Sequence, residues 1–371
     1  MYGLNHQFVR GLIGLLTLQG VGPLTVERLI RHFGSPHEAL KATSTEIMGL
    51  SWLSSPAKKA LKRGVDQKRL DACIHTLERL GAWAICREDP EYPNSLKEIY
   101  NPPPILFGLG DSDLLNEKSV AIVGARRATR YGQEVAKNLA GGLSSKGLAV
   151  VSGMALGIDT SAHRGALGAG GKTIAVLGSG LDRPYPARNR GLMKEIAESG
   201  AVITEFLPGT NPEPGNFPRR NRVICGLSQG VVVVEAGLKS GSLITASLAL
   251  EQGKEVMAVP GSVRSPVSKG AHWLIKQGAF LVEDSRDVLE VLGLDTEAKG
   301  YESKKRITVD DPRKRRVLGS LGPYPVFIDD IIAATGLEPG EVSAILLDLE
   351  LEGLVEALPG KFFQIGAEAG S

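Results

Sequence analysis

Hydrophobic positions between residues 81 and 294 change repeatedly between two periods along the chain. Short apolar runs rich in β-branched residues, typical of buried strands, fall at residues 82–86, 105–107, 119–123, 148–151, 173–177, 201–204, 230–234, 255–259 and 279–282. Helix-length amphipathic segments lie between them at residues 132–145, 158–167, 188–199, 243–252, 271–276 and 285–292. This alternation predicts an α/β fold with a Rossmann-like, doubly wound, mostly parallel sheet covered on both faces.

The residues before this core have a helical pattern. Residues 1–80 predict a domain similar to SAM and helix-hairpin-helix domains, with short helices at 8–18, 23–33, 36–40, 45–48, 56–63 and 67–80. The turn Gly20-Val21-Gly22-Pro23 could meet a phosphate through its backbone amides, or its glycines could simply cap helices. The sequence leaves both interpretations open.

The residues after the core predict a linker and a small domain. Residues 295–315 lose apolar periodicity, and the stretch 304–316 carries a net charge of +5, so we expect a charged linker that could tether DNA. Residues 316–371 predict a winged helix, with helices at 316–321, 328–335 and 339–352 and a hairpin pairing 354–356 with 362–365. The helix at 339–352 has four acidic residues and no Lys or Arg, which favours a protein partner over a duplex groove.

Composition narrows the class of protein and its compartment. Apolar residues make up 42% of the 371 positions and charged residues 23%, which is typical of a globular protein, and the formal net charge of +2 does not by itself indicate nucleic acid. Cys73, Cys86 and Cys225 are odd in number and widely spaced, which excludes a disulfide framework and favours a reducing cytoplasm. We find no signal peptide and no membrane-spanning run, so we expect a cytoplasmic protein.

Glycine accounts for 46 residues, and the excess is concentrated where predicted strands run into helices. Ligands of open α/β sheets bind beyond the carboxyl ends of the strands, where such turns expose backbone amides to phosphates. The residues that we predict to bind phosphate there are Gly124, Arg126, Arg127, Ser152, Gly153, Gly178, Gly180, Lys239, Ser240, Gly241 and Ser242. Glycines that only permit close packing would explain one turn, but four such turns with paired arginines favour phosphate binding.

The segment Phe217-Pro218-Arg219-Arg220-Asn221-Arg222 is the most informative local cluster. Three guanidiniums (Arg219, Arg220, Arg222), the amide of Asn221 and the ring of Phe217 combine phosphate-binding forks with a stacking surface. Single-stranded nucleic acid needs both, because every base offers a π-face. The alternative is that Phe217 packs in the core and the arginines begin a solvated helix.

Two common nucleotide sites are excluded by the same turns. A dinucleotide fold requires G-x-G-x-x-G after the first strand, whereas Gly124-Ala125-Arg126-Arg127 stands there, and no acidic residue closes the second strand. The sequence also lacks the G-x-x-x-x-G-K-[ST] motif of a P-loop. We therefore expect no nucleotide cofactor, and we find no cluster of metal ligands.

Taken together, the motifs resemble those of the bacterial DNA-processing protein A (DprA/Smf) family over nearly the whole chain. The matching residues are Gly124-Ala125-Arg126-Arg127, Ser152-Gly153-Met154-Ala155-Leu156-Gly157-Ile158-Asp159, Gly178-Ser179-Gly180-Leu181-Asp182, Phe217 to Ile224, Lys239 to Ala246 and Val259-Pro260-Gly261. The resemblance implies a cytosolic homodimer, formed through the Rossmann-like core, that binds single-stranded DNA. It also implies that the protein protects incoming DNA and loads the recombinase RecA in natural transformation and homologous recombination.

An enzyme of the same fold class is the competing hypothesis. Lysine-decarboxylase-like nucleoside-monophosphate phosphoribohydrolases carry a catalytic Glu soon after a Gly-Thr, but here Gly241-Ser242 is followed by no carboxylate until Glu251. Asp159, His163 and Asp182 are other candidate acids and bases, but we favour a helix cap for Asp159, a core or helix-surface histidine for His163 and a turn carboxylate for Asp182. Asp159 and Asp182 could still orient the glycines of the turns. We therefore expect no catalytic activity.

Overall fold

The computed structural model describes residues 3–294, 311–321 and 325–365. The chain divides into two compact units, Met1–Thr296 and Glu297–Ser371, and each is described by itself below. Over these ranges no helix is long and apolar enough to cross a membrane, and no cluster of three His, Cys, Asp or Glu side chains could hold a metal ion.

The first unit begins with six short helices close to the predicted positions. They are α1 (Gln7–Thr17), α2 (Pro23–Phe33), α3 (Pro36–Lys41), α4 (Ser44–Gly49), α5 (Ser55–Arg63) and α6 (Gln67–Arg79). Their starts follow from local chemistry, since the side chains of Ser35, Thr43, Ser54 and Asp66 each accept a backbone N–H of the first turn. Proline in the first turn of α2, α3 and α5 costs no hydrogen bond there.

A nine-stranded sheet lies at the centre of the described part of this unit. Its strands are β1 (Trp83–Cys86), β2 (Ile105–Gly110), β3 (Ser119–Val123), β4 (Ala149–Ser152), β5 (Thr173–Val176), β6 (Ala201–Thr204), β7 (Gly230–Val233), β8 (Glu255–Ala258) and β9 (Phe280–Leu281). The order is β1-β2-β6-β5-β4-β3-β7-β8-β9. The strand β2 is antiparallel to both neighbours and the remaining pairs are parallel, which confirms the mostly parallel, doubly wound prediction.

Both faces of the sheet are buried, as the continuous apolar strands require. In β3, Val120 and Ile122 pack into one hydrophobic cluster, whereas Ala121 and Val123 pack into another. The covering helices are α7 (Asn94–Lys97), α8 (Arg130–Ser145), α9 (Ile158–Gly168), α10 (Arg190–Ser199), α11 (Asn216–Leu227), α12 (Gly241–Glu251), α13 (Lys269–Lys276) and α14 (Ser285–Val291). Strand order reverses between β3 and β7, which is where ligands of doubly wound sheets bind.

The N-terminal helices share a hydrophobic core with the sheet. Leu12, Leu29 and Leu77 of the helices belong to the same buried cluster as Phe107 and Val202 of the strands. The sequence predicts a separate domain at residues 1–80, but the structure groups these helices with the sheet in one compact unit. The change of periodicity near residue 81 therefore marks a change of secondary structure and not the edge of a core.

The second unit has the predicted architecture of three helices and a small sheet. The helices are α15 (Pro312–Gly319), α16 (Ile328–Thr335) and α17 (Pro339–Leu351), and the strands β10 (Val326–Phe327), β11 (Val355–Leu358) and β12 (Phe362–Ile365) pair in the order β10-β12-β11. This is a winged helix, packed around residues such as Val317, Leu346 and Leu349.

The start of α15 corrects the predicted end of the linker. Asp311 caps the helix and Pro312 occupies its first turn, so residues 312–315 are helical and not linker. Two of the basic side chains counted toward the +5 are ion-paired to α17, with Arg313 3.0 Å from Glu341 and Lys314 2.8 Å from Glu352. The rest of the predicted linker, residues 295–310, lies outside the described residues.

One buried histidine ties α9 to the sheet. The Thr173 hydroxyl donates to the carbonyl of Val150, so its oxygen accepts the Nδ1–H of His163 at 2.7 Å, and Nε2 is left without a partner in the described structure. Burial, aided by the charge of Arg220, lowers the pKa of His163 from 6.5 to about 3. The imidazole is therefore neutral in the folded state, as the interpretation of a core histidine expects.

We expect this histidine to make folding sensitive to acid. Between pH 6.5 and about 3 the unfolded chain binds a proton that folded His163 does not, so stability falls as the pH falls, by up to about 1.4 kcal/mol per pH unit. Urea unfolding of the wild type and of His163→Asn at several pH values isolates this contribution. Identical pH dependence in the two proteins would show that His163 does not carry it.

Candidate nucleic-acid interface

The turns after β3, β4, β5 and β7 lie at one edge of the sheet, which we call the rim. A cavity of about 600 Å³ opens there, lined by residues that include Gly124, Ala125, Arg126, Asp159, Tyr185, Phe217, Arg220, Asn221, Ser240, Gly241, Ser242 and Thr245. Eight of the sixteen predicted site residues therefore surround one space, at the point where the strand order reverses. Neither Arg219 nor Arg222 is among the lining residues.

Arg126 and two aromatic rings form the open side of this cavity. The Arg126 guanidinium lies 5.0 Å from the centre of the Phe217 ring, in cation–π geometry. The Tyr185 ring lies 5.8 Å from that of Phe217, inclined by 49°, and is 47% exposed. Phe217 is half-buried and covers Gly178, where a Cβ atom would lie 2.9 Å from its ring. The Phe217 side chain thus packs against Gly178 and also lines the cavity.

Arg220 is buried beneath the rim. Its Nη1 donates to the carbonyl of Gly153 at 2.7 Å and to that of Val176, and its Nε donates to Asn221 at 3.0 Å. Burial lowers the pKa of Arg220 to about 10, so the guanidinium keeps its charge at neutral pH. These bonds join α11 to the carboxyl ends of β4 and β5.

Asp159 is the carboxylate that faces this buried guanidinium. It is 6% exposed, lies in the first turn of α9 and accepts the backbone N–H of Ala155 at 3.2 Å. Burial raises its pKa, against the opposing effects of the Arg220 charge and of the amides of Ala155 and Gly153. The predicted role of Asp159 in orienting the rim glycines matches this position, since its two amide partners are in the turn after β4.

Arg219 and Arg222 do not reach the rim, contrary to the expectation of three phosphate-binding forks. Both donate to the same oxygen of Glu205, at 2.8 Å and 2.6 Å, and Arg219 also lies over the ring of Phe206. The reason is helical: residues three apart share a face of α11, whereas Arg220 points about 100° away from Arg219. A helix beginning at these arginines is the alternative interpretation of the sequence, but that interpretation expects the helix to be solvated, whereas Arg220 and Arg222 are buried in α11.

The remaining predicted residues take structural or peripheral positions. Ser152 is fully buried and donates to the carbonyl of Ile122. Gly180 packs against Asp182 and the backbone of Leu207, while Arg127 and Lys239 are exposed beside the cavity. Ser240 caps α12, accepting the N–H of Ser242, and lies at the cavity wall.

Glu235 is a residue that the sequence analysis missed. It follows β7, is buried, and accepts both the backbone N–H and the hydroxyl of Thr129, at 2.9 Å and 2.6 Å. Its carboxylate also lies against Gly132, where no larger residue would fit. The N-terminus of α8 is thus occupied by the protein's own carboxylate, so the phosphate-facing amides of the rim must come from the other turns.

The fold and this rim define an α/β protein with a Rossmann-like core, a polar and aromatic cavity at its switch point, and a winged helix. Comparison with family models agrees: residues 83–293 match the model described as DNA recombination-mediator protein A, and residues 303–361 match the DprA winged helix domain. The chain belongs to the DNA recombination-mediator protein A family, whose members are also named DprA and Smf.

Relatives and solved structures extend this match over most of the chain. The Smf protein of Escherichia coli is 39% identical over 94% of this chain and 95% of its own length, and that of Synechocystis is 34% identical over 94% and 96%. The crystal structure of DprA from Streptococcus pneumoniae is similar with a TM-score of 0.68 and 37% identity, covering 76% of this chain and 97% of that one. A Helicobacter pylori DprA structure, described for its single-stranded DNA binding mode, has a TM-score of 0.53 and 32% identity over 58% and 96%.

We expect Gly157 to hold the Arg126 loop in place. Its φ is +79°, and a Cβ atom there would collide with the carbonyl oxygens of Ala125 and Arg126. Gly157→Ala should therefore destabilise the fold by at least about 1 kcal/mol more than Gly147→Ala, since Gly147 has a similar φ of +82° but open space around it. Urea unfolding of both variants measures the difference, and equal losses would mean that the loop yields to the added methyl.

Proposed function

We propose that this protein binds single-stranded DNA along the rim. The observation that carries the proposal is the exposed guanidinium of Arg126 set against the ring of Phe217, with Tyr185 beside it, at the mouth of the cavity. A guanidinium can bind a phosphate while an adjacent ring stacks on a base, and single strands offer both groups together. Arg127 and Lys239, exposed beside the cavity, add positive charge for the backbone.

A single strand fits the cavity better than a duplex. The rings of Phe217 and Tyr185 line a recess of about 600 Å³, and bases stacked within a duplex cannot reach them. The acidic helix α17 is poorly suited to a duplex groove lined by phosphates, because it carries Glu341, Asp348 and Glu350 and no basic residue. The description of the Helicobacter pylori relative as a single-stranded DNA binder supports the same choice.

The wider role that we propose is protection of incoming single strands and their transfer to the recombinase RecA, in natural transformation and homologous recombination. The support is the resemblance of the rim motifs and the family name of recombination-mediator protein A. The winged helix, with its acidic α17, would then contact protein. A reducing cytoplasm suits the three cysteines, which are all buried and unpaired.

The competing nucleoside-monophosphate phosphoribohydrolase has less support. In the described cavity the lining carboxylate is Asp159, which is buried, influenced by the charge of Arg220 and hydrogen-bonded to backbone amides, so it is not free to act on a ribose. Glu251 is the last residue of α12, about ten positions from the cavity wall at Gly241. We propose that the protein works by binding alone, without a cofactor.

We further propose that the protein is a homodimer joined through its Rossmann-like core, at the β9 edge of the sheet. Phe280 and Leu281 are 47% and 50% exposed on this edge strand, and Trp273 of the preceding helix is 45% exposed. An edge strand with exposed apolar side chains and unpaired backbone groups is a template for pairing with another chain. A second copy would cover the same residues on both subunits.

We expect Arg126→Ala to weaken single-strand binding. Losing one phosphate contact should reduce the slope of log affinity against log salt by about 0.7. Anisotropy titrations of matched single- and double-stranded DNA at several salt concentrations measure this, with Lys146→Ala, at the opposite edge of the sheet, as the control. Duplex binding as tight as single-strand binding, or no effect of salt, would refute the proposed function.

We expect Phe280→Glu to separate the subunits, because a buried, unpaired carboxylate opposes its counterpart across the two-fold axis. Light scattering coupled to size exclusion should give the dimer mass for the wild type and the monomer mass for the variant. Met48→Glu, another exposed apolar residue changed to a charge, should remain dimeric. A dimer in both variants would place the interface elsewhere.

A further inference from the structure

The small net charge of the chain hides a strong local imbalance. Residues 1–80 contain eleven Lys and Arg against six Asp and Glu, whereas the remaining 291 residues contain 32 against 35. Residues 1–80 thus carry a net charge of +5, as the shorter stretch 304–316 does, whereas the whole chain carries only +2. Charge concentrated in one part of a chain is the electrostatic mark of an anionic partner for that part.

The helix α5 presents much of this charge on one face. Lys59, Lys62 and Arg63 are exposed, while Ala57 and Leu61 on the other side are buried. The helix has no acidic residue, and no carboxylate in the described residues forms an ion pair with these three side chains. Unlike Arg313 and Lys314 of α15, they are therefore available to a ligand.

An aromatic residue lies next to this helix. Trp52, two residues before the cap of α5, is half-buried, and the guanidinium of Arg28 stands 6.0 Å from the centre of its ring. Together with Arg31 and His32 they line an open hollow of about 390 Å³. Arg31 is ion-paired to Glu27 at 2.7 Å, so Arg28 is the arginine beside the ring that a ligand can reach. A ring beside a guanidinium is the combination that we propose to bind a strand at the rim, and here it recurs on separate elements.

The glycine turn before α2 has a supporting role. Gly20 has a φ of +78°, and a Cβ atom there would lie 3.2 Å from the backbone nitrogen of Ala57, so this turn packs against the first turn of α5. Of the two interpretations of Gly20-Val21-Gly22-Pro23, the structural one explains Gly20. The exposed cations that these helices offer to a phosphate include those of α5 and Arg28 beside Trp52.

We propose that α5, together with the hollow at Trp52, forms a second binding surface for the backbone of single-stranded DNA, separate from the rim. Its contacts are to phosphates and base faces, so it binds without sequence preference. A strand long enough to reach both surfaces is held by the two together, and the second contact acts at a high effective concentration.

The test compares two double charge reversals in the full chain. Lys59→Glu/Lys62→Glu removes the proposed contacts, and Lys118→Glu/Lys146→Glu makes the same charge change at the sheet edge opposite the rim. Each is titrated with mixed-sequence single-stranded DNA of about 10 nucleotides, enough for one surface, and of about 60, enough for both.

On the long strand we expect the first variant to lose at least about tenfold in affinity and about 1.4 units of salt slope, for two phosphate contacts. The control should lose less than about threefold, and on the short strand the two variants should match. Equal losses in both variants on the long strand would overturn the proposal, as would an equal loss on both lengths in the first variant.

Tryptophan fluorescence gives a second, direct measurement. Long single strands should quench emission from Trp52, and Trp52→Phe should remove that component while Trp273→Phe keeps it. Quenching unchanged by Trp52→Phe would overturn the role of the hollow. Failure of Arg126→Ala to weaken binding would count against the rim alone, so the two proposals fail separately.

Discussion

The buried guanidinium of Arg220 is the interaction on which the rim depends. A charge taken out of water is costly unless it is paired and fully hydrogen-bonded, and here Asp159 and the carbonyls of Gly153 and Val176 offset that cost. Hydrogen bonds of this one side chain join α11 to the ends of β4 and β5, and the charge of Asp159 on α9 stabilises the guanidinium. The glycines around it let the backbone come close enough to be bonded.

The arginines of the core therefore divide into those that shape the site and those that face solvent. Arg220 and Arg222 are buried, and Glu205 binds Arg219 and Arg222 with a single oxygen. Arg126 and Arg127 are exposed on the turn after β3. Removing one of the buried group leaves an unpaired charge in the interior, whereas removing one of the exposed group changes only what the rim can bind.

The net charge of +2 does not show how unevenly basic and acidic residues are distributed along the chain. The N-terminal helices are basic, and in the winged helix two of the four basic residues of α15 are ion-paired to α17 and its C-cap, through Arg313–Glu341 and Lys314–Glu352. A cluster of lysines and arginines can therefore be open to a ligand, as in α5, or partly ion-paired within the protein, as in α15. The difference depends on whether carboxylates from another helix contact it. Lys59, Lys62 and Arg63 of α5 form no ion pair within the described residues, whereas Arg313 and Lys314 of α15 do.

The sequence by itself determined the βαβ order, the glycine turns at the strand ends and the winged helix, because periodicity and turn chemistry are local properties. It located Gly124 and Arg126 at the cavity because strand ends of a parallel sheet share one edge. Phe217 and Asn221, which lie in α11, were located there only by the chemistry of their segment. The direction of each arginine in Phe217 to Arg222 was decided only by the tertiary structure, since that depends on the rotation of α11 and on Glu205 and Asp159 from distant parts of the chain. The common core of the N-terminal helices and the sheet was also decided only by the tertiary structure. An apolar helix face in the sequence predicts that the face is buried, but it does not predict which element covers it.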